Sequence, residues 1–238
     1  ILRAYFTFLT KIKYFGFCKF ILISFYETKF ILINFFKYKI NIYDFIDETN
    51  LFKDKKYKKQ FAGYSPIPEY FLSKIFKYLN KNIKIEEFNF IDLGSGLGRV
   101  VFFSSNYNFI KHEGIELSLE LYNKSKKNLQ KVNINNIYFH YKNFFEFSFK
   151  NENTVIFMND AIKKYQTFNE LINKILIEFS NSKLIFVYYN PTYKDKVLET
   201  SKFKLLNQYI YQKSRGYCIF KKLWQVSYLG RKYIEYII

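Results

Sequence analysis

Apolar residues along this chain fall into two rhythms. Short segments rich in Phe, Ile, Val and Tyr recur at 88–93, 112–117, 137–141, 154–158 and 184–189. Longer segments between them repeat apolar residues at i, i+3 and i+4. The first kind predicts strands and the second predicts helices. Residues 64–79 read as a turn followed by a helix. Pro66 and Pro68 bar an earlier helical start, and Phe71, Leu72, Ile75, Phe76 and Leu79 share one face. Further helices are expected at 97–107, at 118–131 with Ser118 as N-cap, and at 167–179. Two late segments, 203–211 and 216–223, have the lengths of paired strands. The alternation implies an α/β fold with a mostly parallel sheet, right-handed crossovers and a closing antiparallel hairpin. At 238 residues, one α/β domain over 61–238 preceded by a helical extension over 1–60 is the natural division.

The first 40 residues are aromatic, apolar and basic. Spanning a bilayer takes about 20 nearly uninterrupted apolar residues. The best window, 14–36, is broken by Lys19, Glu27 and Lys29, so a spanning helix is not expected. A secretory leader is not expected either, because no small-residue cleavage site follows. The segment is expected to be helical and to pack on the domain. The alternative is a basic amphipathic helix lying on a membrane surface. The site as read from sequence needs nothing before about Asn41.

The most informative stretch is Asn89 to Ser104, NFIDLGSGLGRVVFFS. An apolar run reaches Asp92, and Gly94, Gly96 and Gly98 follow at alternate positions before a helix. The chain has only eight glycines, and three fall within five positions here. A strand, a tight glycine turn and a helix let a ligand approach backbone that a Cβ would block. A dinucleotide turn wants G-x-G-x-x-G/A, with the last position small. That position is Arg99 or Val101, depending on the first glycine counted, and neither suits it. Glu116 is the second anchor, 18 positions beyond Gly98 at the end of the expected second strand. A carboxylate there can accept both hydroxyl hydrogens of a ribose.

The pattern D-x-G-x-G-x-G resembles motif I of class I S-adenosyl-L-methionine-dependent methyltransferases. Over roughly 41–223 the chain resembles a group of small, mostly bacterial class I methyltransferases. The resemblance rests on Tyr43-Asp44-Phe45 with Glu48-Thr49, on Tyr64-Ser65-Pro66-Ile67-Pro68, on 92–100, on 114–118, and on Tyr189-Asn190-Pro191. It departs from the family in Glu48 for an Asp and in Asn143 where an acid is usual. A more distant similarity is to lysine methyltransferases that share D-L-G-S-G-x-G-R. The resemblance implies a Rossmann-like seven-stranded sheet and S-adenosyl-L-methionine as cofactor. Asp92, Gly94, Gly96 and Gly98 would receive its methionyl and ribose portions, and Glu116 and Leu117 its ribose. Asn143 and Phe144 would lie by its adenine. For a catalytic base the candidates are Asp160, after the fourth strand, and Tyr64. The methyl acceptor, a small molecule or a protein amine or hydroxyl, stays open, as does the oligomeric state.

Composition narrows the alternatives. The net charge of +18 would ordinarily point to a polyanion. Yet the basic residues are 34 lysines and four arginines, in a chain rich in Phe, Tyr, Ile and Asn with Ala only at 4, 62 and 161. That bias fits A/T-rich coding, so a specific nucleic-acid partner is not expected. The run from Lys53 to Lys59 reads as a solvated linker. Asn190-Pro191-Thr192-Tyr193 looks like the N-P-P-Y motif of base-amine methyltransferases but follows the fifth strand, not the fourth. It reads as a turn with Pro at a helix start. Cys18 and Cys218 give neither a metal spacing nor a disulfide framework, and His112 and His140 read as structural. No metal is expected, and a reducing, cytoplasmic setting is the default, with membrane-peripheral contact through 1–40 as the variant. Two other functions compete: a nicotinamide-dependent oxidoreductase, and a non-catalytic basic protein bound to membrane or RNA on a Rossmann-like fold.

Overall fold

The computed structural model describes residues 15–42, 51, 55–212, 214–223, 226–228 and 231–233. The element around Tyr43-Asp44-Phe45 and Glu48-Thr49 lies outside them, as do 1–14. Seven strands form one sheet in the order β3-β2-β1-β4-β5-β7-β6. They are β1 (Asn89–Leu93), β2 (His112–Glu116), β3 (Ile137–Tyr141), β4 (Thr154–Asn159), β5 (Leu184–Tyr189), β6 (Phe203–Gln212) and β7 (Arg215–Lys222). The first five are mutually parallel, and β7 runs antiparallel to both β5 and β6. The expected closing hairpin is therefore present. A short hairpin, β8 (Val226–Tyr228) with β9 (Arg231–Tyr233), forms a separate ladder. The sequence reading had no counterpart for it.

Strands β1, β4 and β5 are buried on both faces along nearly their whole length. This explains why they read as continuous apolar runs rather than alternating ones. The helices supply the covers. On one face lie α3 (Glu69–Asn82), through Phe71, Leu72, Ile75, Phe76 and Leu79, and α4 (Arg99–Ser104). The other face is covered by α6 (Tyr165–Glu178), through Phe168, Leu171, Ile172 and Ile175. Helix α5 (Leu119–Leu129) begins at Ser118, whose Oγ accepts from the Leu121 N–H, so the expected cap is in place. Helix α4 is shorter than the 97–107 expected, because the glycine turn runs to Gly98 and a turn follows Ser104.

Before the sheet come α1 (Phe17–Tyr38) and α2 (Lys55–Gln60). Part of the expected Lys53–Lys59 linker is thus helical. Helix α1 packs on α3, and Ile23 joins the same core cluster as Phe71 and Phe76. Beyond it, the Asn128 side chain on α5 donates to the Asn41 carbonyl at 2.7 Å and accepts from its N–H at 3.1 Å. Among the described residues no helix is long and apolar enough to cross a membrane. After β5, Asn190-Pro191 forms the expected turn, but the helix it leads to, α7 (Lys194–Glu199), begins three residues past the proline.

Candidate functional site

The strand order reverses between β1 and β4, and a cleft opens outside the carboxyl ends of the strands there. Its floor is the glycine turn after β1, its side wall is the end of β2, and its cover is the segment before α3. Asp92, Gly94, Glu116, Leu117, Phe144 and Tyr64 all line it, so six of the residues singled out from sequence meet in one place. Gly96 contacts Tyr64 within the same turn.

The turn uses its glycines differently from the expectation that its N–H groups stay open to a ligand. The Gly94 and Ser95 N–H groups donate to the Ile115 carbonyl, at 2.9 and 3.1 Å, and Gly98 donates to Ser95. The Gly96 N–H donates to Glu116 Oε2 at 2.8 Å. Gly96 and Gly98 have φ of 56° and 82°. A Cβ on Gly96 would run into the Tyr64 ring, and one on Gly98 into Phe139. These glycines thus let two aromatic rings close against the turn. Gly96→Ala should push Tyr64 off the turn and strain its backbone, costing about 1–3 kcal/mol of stability. Urea unfolding against Ser95→Ala as control checks this; equal midpoints would mean that Tyr64 does not sit where described.

Glu116 is 6 % exposed and holds the wall and floor together. Its second oxygen accepts from the Ser118 N–H at 2.7 Å. Burial raises its pKa, and the backbone donors oppose the shift. Asp92 lies deeper still: burial, and the nearby Glu116 charge after it, hold its pKa well above the usual carboxylate range. The cleft therefore contains two buried, mutually repelling carboxyl groups.

Arg99 was read from sequence only as a misfit for a dinucleotide turn. It lines the cleft at 2 % exposure. Its Nη2 donates to Glu27 Oε2 of α1 at 2.7 Å, and its guanidinium lies over the Phe30 ring. Its Nε and Nη1 are buried and find no partner among the described residues. Glu27 also accepts the Glu69 N–H at the start of α3. This corrects the view that nothing before Asn41 matters to the site. The signal was available: with four arginines against 34 lysines, an arginine beside the turn marks a place where planar, multi-donor geometry is needed.

Two expected residues sit differently. Asn143 Oδ1 accepts the Phe145 N–H at 3.1 Å, closing a local turn, while its neighbour Phe144 faces the cleft. Asp160 is in left-handed backbone (φ 34°) and turns to Tyr188 and Thr192, whose hydroxyls donate to it at 2.9 and 2.8 Å. Its flanking residues Asn159 and Ala161 line the cleft instead. Burial raises the Asp160 pKa, the two hydroxyls opposing it. Tyr64 covers Gly96, and its hydroxyl donates to the Ile42 carbonyl at 3.3 Å. Asn159 ends β4 and lines the cleft. Its amide donates to the Ser65 carbonyl and accepts from Asn190, joining the cover to the ends of β4 and β5. His112, buried against Ser104, has its pKa pushed down to about 4 by burial, and His140 meets Glu113; both are structural.

This sheet order, with its antiparallel last strands and a cleft at the reversal, is the Rossmann-like fold of class I S-adenosylmethionine-dependent methyltransferases. Solved structures bear out the fold. Magnesium protoporphyrin IX methyltransferase from Synechocystis, solved with S-adenosylmethionine bound, matches with TM-score 0.50 at 13% identity, over 63% of this chain and 76% of that one. An Escherichia coli protein assigned as a methyltransferase matches at 0.54 with 15% identity, over 69% and 91%. A Pyrococcus horikoshii protein assigned as an RNA methyltransferase matches at 0.51 with 14% identity, over 73% and 91%. No sequence-family model matches the chain, and no curated protein matches it in sequence.

Proposed function

We propose that this chain is an S-adenosyl-L-methionine-dependent methyltransferase. One observation carries the choice of cofactor. The glycine turn offers its N–H groups at 94, 95, 96 and 98 to the protein itself, and two buried carboxyl groups flank it. A pyrophosphate would meet negative charge where it needs donors. A cofactor with a sulfonium and an ammonium group, and no phosphate, suits the same surface. Arg99, with two donors unmet, suits the one anionic group such a cofactor carries, its carboxylate.

In this reading Asp92 faces the ammonium group. Glu116, whose oxygens already accept from backbone N–H groups, would use its remaining acceptor capacity for the ribose hydroxyls. Tyr64 and Phe144 close over the turn and exclude water. When bound, the cofactor supplies an electrophilic methyl group on sulfur. The chain's own contribution is to hold the acceptor in line with it beside Asn159 and the segment 61–67, and this positioning supplies most of the rate. Asp160, bonded to Tyr188 and Thr192, would act as base only after releasing one of them.

Calorimetry tests the reading. S-adenosylhomocysteine should bind and NAD should not. Because the ligand's ammonium group favours ionised Asp92 and its ribose hydroxyls favour ionised Glu116, whose folded pKa values lie above the ordinary range, affinity should rise with pH through those raised values. Tight NAD binding without S-adenosylhomocysteine binding would favour the nicotinamide oxidoreductase and remove the methyltransferase.

A further inference from the structure

Helix α1 has two apolar faces. Its inner face, with Ile23, Phe30 and Glu27, packs on the domain. On the outer face Phe17, Ile21, Phe25, Leu32 and Phe36 stand 47–71 % exposed, with Leu22, Ile33 and Phe35 at their flanks. At about 100° per residue, all eight fall within roughly 160° of arc, one continuous face along a helix about 33 Å long. Scattered exposed apolar residues need no explanation, but eight large ones on a single helix face do. The one acid on this helix, Glu27, is turned inward to Arg99 and α3, and Lys19 lies over the Tyr209 ring, while Lys29 lies exposed within the outer face and Lys39 exposed just past its end.

We propose that α1 seats the protein on an anionic bilayer surface, its outer face entering the boundary between headgroups and acyl chains. The occupant must take up large apolar side chains and answer positive charge, and an anionic lipid surface does both. A second copy would bring one +18 chain against another. A spanning arrangement is not open to this helix, which keeps Glu27 engaged with the domain and is not apolar enough to cross.

The test is flotation of the full chain with vesicles of phosphatidylcholine alone and of an equal mixture with phosphatidylglycerol, at low and high salt. Its comparison is a variant carrying Ile21→Glu, Phe25→Glu and Phe36→Glu, all outside the cleft. Wild type should float with the anionic vesicles, weakly or not at all with neutral ones, and less at high salt. The variant should lose at least about tenfold in vesicle binding, since three large apolar side chains no longer enter the lipid. Its melting temperature and S-adenosylhomocysteine affinity should be unchanged. Failure of the wild type to float, or equal flotation of the variant, would overturn the proposal. A clear drop in the variant's melting temperature would show that another part of the chain covers the face. A wild-type dimer abolished in the variant, with no flotation, would assign the face to a second copy. A failure of S-adenosylhomocysteine to bind either protein, with flotation as expected, would remove the cofactor reading and leave this one standing.

Discussion

Replacing Glu116 by alanine should damage cofactor binding and stability together. A strand-end acid facing a cleft would ordinarily be expected to leave stability alone. Here its two oxygens accept from the Gly96 and Ser118 N–H groups inside a buried wall. Truncation leaves both donors unmet, at about 1–3 kcal/mol each. The raised pKa of Glu116 means that its charge is itself held at a cost, and removing that charge offsets part of the loss. A net destabilisation of about 2 kcal/mol should follow. Binding loses more, because the ribose loses its acceptor and the turn loses the tether that shapes it. About 2–4 kcal/mol, or about 30- to 1,000-fold in affinity for S-adenosylhomocysteine, is expected. Glu116→Gln keeps one acceptor and should recover part of the stability. Calorimetry with urea unfolding on the same samples checks both arms, and an unchanged affinity would mean that the ribose lies elsewhere.

Glu27→Ala should be the most destabilising single change in the N-terminal helix. Arg99 is buried, and Glu27 is the carboxylate that meets it. Removing one partner of a buried pair costs about 3–5 kcal/mol, because the other charge stays behind. Glu27 is itself partly exposed, which places the expectation near the lower end, about 3 kcal/mol. The start of α3 loses the acceptor for its first N–H as well. For a chain of this size the melting temperature should fall by about 6–12 °C. Glu27→Gln should lie between, keeping an acceptor but no charge. Thermal unfolding followed by circular dichroism reads the series. A fall of about 1 °C or less in Glu27→Ala would mean that the Arg99–Glu27 pair does not hold the helix to the domain.

How much was legible beforehand differs from element to element. β3 and β5 fell on the expected residues because apolar runs with sharp polar borders leave little freedom in placement. The five glycine-turn and strand-end positions, Asp92, Gly94, Gly96, Gly98 and Glu116, form one cluster because strand–turn–helix geometry fixes their spacing. The shorter α4 was not legible: its apolar spacing continues past Ser104, while hydrogen bonds decide where it ends. Asn143 and Asp160 read as ligands because they follow strands, but short polar side chains bond readily to nearby backbone and hydroxyls, and here they do. Glu27 was hidden for a different reason. Its partner Arg99 is 72 positions away, and no local pattern signals a pairing across that distance.

The central claim is that the cleft between the glycine turn and Glu116 takes S-adenosyl-L-methionine. A crystal structure with S-adenosylhomocysteine tests it most directly. The account predicts ligand in the cleft, with the ribose hydroxyls on Glu116, the amino group toward Asp92 and the carboxylate toward Arg99. Ligand bound elsewhere, or a ribose turned away from Glu116, would contradict it.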